Sequence, residues 1–168
     1  MRKEECTNCG QEAPVVKGSC RFDQLGIPVR LCRIDLVKCP NCGNVDPIIP
    51  NIDGLMDCLA LAVIFKPYKL NGHDVRFLRK YLGKNQEEFA ILLPVDTTTL
   101  CKWETDLQPI GKKSERLIRL LTLNISERLE EPKKKIMEFL STELKKQQEK
   151  EAQLTLDMET KHCEYVEA

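Results

Sequence analysis

The hydrophobic positions of this chain switch period along its length. Between residues 10 and 38 they come as β-branched or alternating runs, Val15-Val16 and Ile27-Pro28-Val29-Arg30-Leu31-Cys32-Arg33-Ile34. Such runs predict strands. Gly18 and Gly26 are expected at turns, so the stretch reads as a β-hairpin. From Ile52 to Phe65 the mix shifts to Leu, Met and Ala, which predicts a largely buried helix ended by Pro67.

From residue 70 the apolar positions take helical spacing in short segments. Asn71 followed by Asp74 reads as a capping box. The helix it opens has Val75, Leu78 and Leu82 facing inward, Arg76, Arg79 and Lys80 facing outward, and Gly83 as its stop. Asn85 and Glu88 repeat the box before a second helix that buries Phe89, Ala90 and Leu93. Pro94-Val95-Asp96 forms a turn. A third helix starts near Thr97 with Asp96 as its cap, Leu100 and Trp103 inside, and Thr98, Thr99 and Lys102 outside. After the Pro109 and Gly111 loop, a fourth helix from Lys113 to Leu123 is expected to bury Leu117, Ile118 and Leu121. Pro132 opens a charged helix to Lys150 with Ile136, Leu140 and Leu144 on one stripe, and residues 151–168 read as a frayed acidic tail.

The expected fold class is therefore α+β, mostly α: a small β-hairpin module, then a helical helix-turn-helix domain, then a C-terminal charged helix. The boundaries are 1–50 for the hairpin module, 51–69 for a connecting helix, 70–124 for the helical domain and 125–168 for the charged helix and tail. The pair 86–93 and 97–105, joined by a short turn, has the spacing of a helix-turn-helix. In that motif the second helix enters the major groove of DNA and its N-terminal residues reach base edges.

Cysteine spacing supplies the candidate chemistry. Cys6-Thr7-Asn8-Cys9-Gly10 and Cys39-Pro40-Asn41-Cys42-Gly43 are both C-x-x-C turns followed by Gly. Each aims two sulfurs at one point, and together Cys6, Cys9, Cys39 and Cys42 make a closed four-thiolate set of the kind that holds structural Zn²⁺. The chain has nine cysteines, an odd number, and no apolar leader at its N-terminus, so thiols and metal ligation are expected rather than disulfides. Cys20, Cys32, Cys58, Cys101 and Cys163 read as small buried or half-buried residues. A cytoplasmic location follows as an expectation, and no run of apolar residues is long enough for a membrane span.

Net charge is zero, which argues against a strongly basic nucleic-acid binder. Its distribution matters more: −1 over residues 1–65, +4 over 66–124 and −3 over 125–168. Any phosphate contacts must come from the middle. His73 and His162 are isolated, and no catalytic constellation or phosphate-cradling loop is present, so no enzymatic activity is expected.

Residues 70–123 resemble the Xre/Cro family of helix-turn-helix regulators, on Asn85-Gln86-Glu87-Glu88-Phe89-Ala90 and Leu100-Cys101-Lys102-Trp103-Glu104. With the two knuckles, Asp74-Val75-Arg76-Phe77-Leu78-Arg79-Lys80 and Arg116-Leu117-Ile118-Arg119-Leu120-Leu121, the chain to about residue 123 resembles YgiT-type zinc modules fused to an Xre domain. That group includes the MqsA-like antitoxins. The resemblance implies a homodimer on palindromic operator DNA, with Thr98 and Lys102 toward the bases, Gln86 at a phosphate, and the zinc module on the side of a protein toxin; Thr97 and Thr99, beside Thr98 at the start of the same helix, are expected to read bases with them. Where such proteins often carry Gly in the turn and after the aromatic-Glu pair, this chain has Pro94 and Asp106. The knuckles also resemble those of rubredoxins, which implies an iron electron-transfer site instead. The expected function is a DNA-binding transcriptional regulator and repressor, in its specific form an antitoxin; a zinc-clamped protein-interaction module is the plainer alternative.

Overall fold

A computed structural model describes residues 2–126, 129, 135–136, 139–140 and 152–167. The strands are β1 (Lys3–Glu5), β2 (Glu12–Phe22), β3 (Val29–Lys38), β4 (Val45–Pro47), β5 (Ala152–Asp157) and β6 (His162–Glu167). The helices among the described residues with assigned bounds are α1 (Ile52–Ile64), α2 (Gly72–Tyr81), α3 (Gln86–Leu92), α4 (Thr97–Glu104) and α5 (Lys112–Ile125).

The expectation of a mostly α chain with only a small hairpin module is overturned. Six strands form one mixed sheet in the order β1-β2-β3-β5-β6, with β4 also on β3. The edge of β3 opposite β2 is shared. Its first half pairs parallel with β5, Val29 against Leu154 and Leu31 against Leu156. Its second half pairs antiparallel with β4, Leu36 against Pro47 and Lys38 against Val45. The physical reason is burial. Val29, Leu31, Ile34, Leu36, Leu154 and Leu156 line one face and enter the same apolar cluster as Leu59, Ile64, Leu78, Phe89, Leu100 and Ile118 from the helices. The sheet is thus a wall of the main core. The expected frayed tail is in fact β5 and β6, held together by antiparallel pairing from Ala152–Glu167 to Asp157–His162. The expected helix from 132 to 150 lies largely outside the described residues.

Local signals explain the helices. Asn51 accepts from the Gly54 N–H at 2.8 Å and starts α1. Asn71 with Asp74 and Asn85 with Glu88 form both capping boxes as expected. Gly83 takes φ +67° after α2, the left-handed stop that Gly adopts without strain. Gly18, expected at a turn, lies within β2 instead: a Cβ there would meet Leu36 Cδ1 at 2.9 Å, so the missing side chain lets Leu36 pack across the hairpin.

Buried polar networks join the helices. Arg119 of α5 is fully buried, and its guanidinium donates to the carbonyls of Ile64 at 2.5 Å, Lys66 at 3.0 Å and Tyr68 at 2.8 Å, and to Glu115 at 2.9 Å. A cation there satisfies carbonyls left over at the end of α1. Arg79, expected outside, is buried and pairs with Glu104 of α4 through Nε at 2.5 Å and Nη2 at 3.0 Å. Asp106 follows α4 with φ +55°, and its carboxylate accepts from the Gly72 N–H at 2.7 Å, tying α4 to the start of α2.

Candidate metal centre

The two knuckles sit at matching bends of the sheet. Cys6 to Cys9 lies between β1 and β2, and Cys39 to Cys42 between β3 and β4. Both fold the same way. Gly10 N–H donates to the Cys6 carbonyl at 2.9 Å and Gly43 N–H to the Cys39 carbonyl at 3.0 Å. Cys6 N–H donates to Gln11 and Cys39 N–H to Asn44, both at 2.9 Å. Gly10 and Gly43 have φ +69° and +73°, the left-handed turn after the second cysteine that the sequence anticipates.

Pairing of β2 with β3 then brings the knuckles together, and the four sulfurs lie within 4.8 Å of one another. Cys6 and Cys42 sulfurs are 3.6 Å apart, and Cys9 and Cys39 sulfurs 3.5 Å. Metal–sulfur bonds of ~2.3 Å in a tetrahedron put sulfurs ~3.8 Å apart, so the donor set fits a tetrahedral ion. Cys6 and Cys39 are buried and Cys42 is exposed. A small separate apolar cluster of Ala13 and Val37 packs with Cys6 and Cys39 beneath the site.

Hydrogen bonds differentiate the thiols. The Gln11 N–H and then the Asn41 amide hold Cys9 below the usual thiol range. The Asn44 N–H and then the Asn8 amide do the same for Cys42. For Cys39, the Cys42 N–H acts downward, but burial and the neighbouring Cys9 and Cys42 thiols push it up to about 11. A metal that takes all four as thiolates must displace that proton. The arrangement closes all four positions and leaves none open for substrate.

The sequence missed the polar groups that support the site. Asn41 Nδ2 donates to the Cys9 sulfur at 3.7 Å and Asn44 Nδ2 to the Cys6 sulfur at 3.9 Å. Asp46 accepts from Asn44 at 2.7 Å and from the Thr7 hydroxyl at 2.6 Å. The available signal was Asn at the same place in both knuckles. The other cysteines stay apart from the tetrad: Cys163 donates to the Cys58 carbonyl at 3.8 Å, and burial pushes its thiol up to about 12. Cys20, Cys32, Cys58 and Cys163 are half-buried, and Cys101 is exposed.

The remaining predicted residues lie on α3 and α4. Thr97, Thr98 and Lys102 are exposed and Thr99 is half-buried. Gln86, half-buried at the start of α3, donates its amide to Glu104 Oε2 at 2.9 Å, joining the Arg79–Glu104 pair. Burial raises the Glu104 carboxyl, but the bonds from Arg79 and Gln86 and the nearby Arg76 outweigh it and hold the group below the usual range. Trp103 and Leu100 are buried as expected.

Compared with known proteins, the chain matches no family model, no curated protein and no solved structure. The four-cysteine cluster is the part of the resemblance that stands on geometry. Among the described residues no helix is long and apolar enough to cross a membrane.

Proposed function

We propose that this chain is a sequence-specific DNA-binding regulator whose cysteine tetrad holds a structural Zn²⁺. The observation that carries the reading is the α3–α4 pair. Asn85 caps α3, Glu104 ties α4 back to Arg79 of α2 and Gln86 of α3, and Thr97, Thr98 and Lys102 face solvent. A short polar helix held rigidly against two others, with its first turn open, is the geometry that base readout needs. The +4 charge of residues 66–124 supports the same reading, because phosphate contacts supply most non-specific affinity.

In this reading Thr97, Thr98, Thr99 and Lys102 meet base edges, and Gln86 lies at a phosphate while its amide nitrogen remains on Glu104. Zn²⁺ supports the reading as a stabiliser, since a four-thiolate site binds no substrate. The finer form is a homodimeric cytoplasmic antitoxin that represses its own operon, with the metal module toward a toxin.

The test is binding to the DNA upstream of its own gene, titrated against salt, for wild type and for Thr98→Ala with Lys102→Ala. Tight binding that weakens with salt, and is lost to the random-duplex level in the double variant, is expected. Wild-type binding no tighter than to a random duplex refutes operator recognition. Co-purification of a protein encoded beside this gene separates antitoxin from stand-alone regulator.

A further inference from the structure

We propose that Asn8 and Asn41 are positioning residues of the metal site, each donating its amide across to the sulfur that closes the other knuckle. Asn41 Nδ2 donates to the Cys9 sulfur at 3.7 Å, and on the other side the Asn8 amide lies near enough to Cys42 to favour its thiolate. The two residues hold the same place in Cys6-Thr7-Asn8-Cys9 and Cys39-Pro40-Asn41-Cys42. Their places are therefore reciprocal, and the Asn41–Cys9 bond shows the contact that such a place permits.

Nothing else at these positions requires Asn. Neither residue takes a left-handed backbone, where Asn would replace Gly at low cost. Both are exposed, so packing does not select them. The amide-to-sulfur contacts remain as what Asn supplies.

The chemistry gives those contacts a purpose. Four thiolates around a divalent ion carry a net charge of about −2. The Asp46 carboxylate lies nearby, hydrogen-bonded to Thr7 and Asn44. Cys9 and Cys42 are the less buried sulfurs of their knuckles, so water and competing chelators reach them first. An N–H donor on each draws charge off the sulfur and ties one hairpin to the other. Outer donors of this kind typically change metal affinity about 10- to 100-fold. The proposal rests on the metal-site reading and is independent of the DNA reading.

The experiment uses the full chain with Co²⁺ as probe, in competition with a chromophoric chelator, for wild type, Asn8→Ala/Asn41→Ala and Asn8→Asp/Asn41→Asp. The expected result is tetrahedral Co²⁺ in the wild type, about tenfold or more weaker Co²⁺ retention in the Ala double variant, and a larger loss in the Asp variant. At saturating Co²⁺, the thiolate-to-cobalt charge-transfer band of both variants shifts to lower energy, because the undonated sulfurs are more easily oxidised. Lower stability of the metal-free chain does not produce that shift. Unchanged retention and an unmoved band in both variants overturn the proposal while leaving the metal site intact. A wild type that takes up no Co²⁺ overturns the metal-site reading, and this proposal with it.

Discussion

Replacing Arg119 with Met should be among the most damaging single changes in this fold. Arg119 is 0 % exposed and Glu115 1 %, so the pair has no access to solvent. Met preserves the apolar stem and deletes the guanidinium. Among the described residues Glu115 then keeps only the Leu70 N–H, at 2.9 Å, and the carbonyls of Ile64, Lys66 and Tyr68 lose the Arg119 donor. Breaking one side of a buried ion pair costs about 3–5 kcal/mol, and orphaned carbonyls add to it less than additively. We expect a loss of about 4 kcal/mol, read from urea unfolding followed by the fluorescence of Trp103, the only tryptophan. Arg119→Met with Glu115→Met leaves no unpaired carboxylate at this site and should cost less than the single change. A single-variant loss below about 1 kcal/mol, the scale of an exposed pair, refutes the reasoning.

Gly72→Ala places a Cβ 2.5 Å from the Trp103 carbonyl oxygen and 2.7 Å from the Glu104 backbone, so a loss of about 1–3 kcal/mol is expected in the same assay. Gly111→Ala, where a Cβ meets nothing within 4 Å, should stay within about 0.5 kcal/mol. The folded Glu104 carboxyl is depressed, so its contribution is present above its unfolded value of about 4.3 and is lost as pH falls through the folded value. Urea midpoints measured against pH should therefore fall less steeply in that acid window for Glu104→Gln; an identical acid limb contradicts the Arg79–Glu104–Gln86 network. Deleting residues 152–167 uncovers Val29 and Leu31 along one edge of β3 and removes Leu154 and Leu156 from the core. A lowered melting temperature and concentration-dependent aggregation are expected, and an unchanged melting curve contradicts the role of β5 and β6.

What was legible in the sequence was whatever is encoded locally. The Cys-x-x-Cys-Gly spacing and the Asn71 and Asn85 boxes need only neighbouring residues, and each is found in place. What was not legible depends on partners far along the chain. Gln153-Leu154-Thr155-Leu156-Asp157 alternates as a strand does, but its partner is β3, more than a hundred residues earlier, and its flanking charges suggested a solvated tail. Helical spacing alone put Arg79 in solvent, because nothing local reveals Glu104, 25 residues on. The same blindness turned α5 slightly. Leu117 and Leu121 are half-buried, while Glu115, Arg119 and Thr122 point inward, because the end of α1 demands donors. At the metal site the ligands were visible, but Asn8, Asn41 and Asn44 were not, since their role appears only when one knuckle meets the other.

Native mass spectrometry with elemental analysis, on the chain expressed in medium containing both zinc and iron, tests whether Cys6, Cys9, Cys39 and Cys42 hold zinc. One Zn²⁺ per chain in a colourless protein is expected, lost when Cys42→Ser opens the tetrad. Iron in a red protein with a reversible one-electron couple, or a metal-free chain with four freely titrating thiols at these positions, contradicts the zinc assignment.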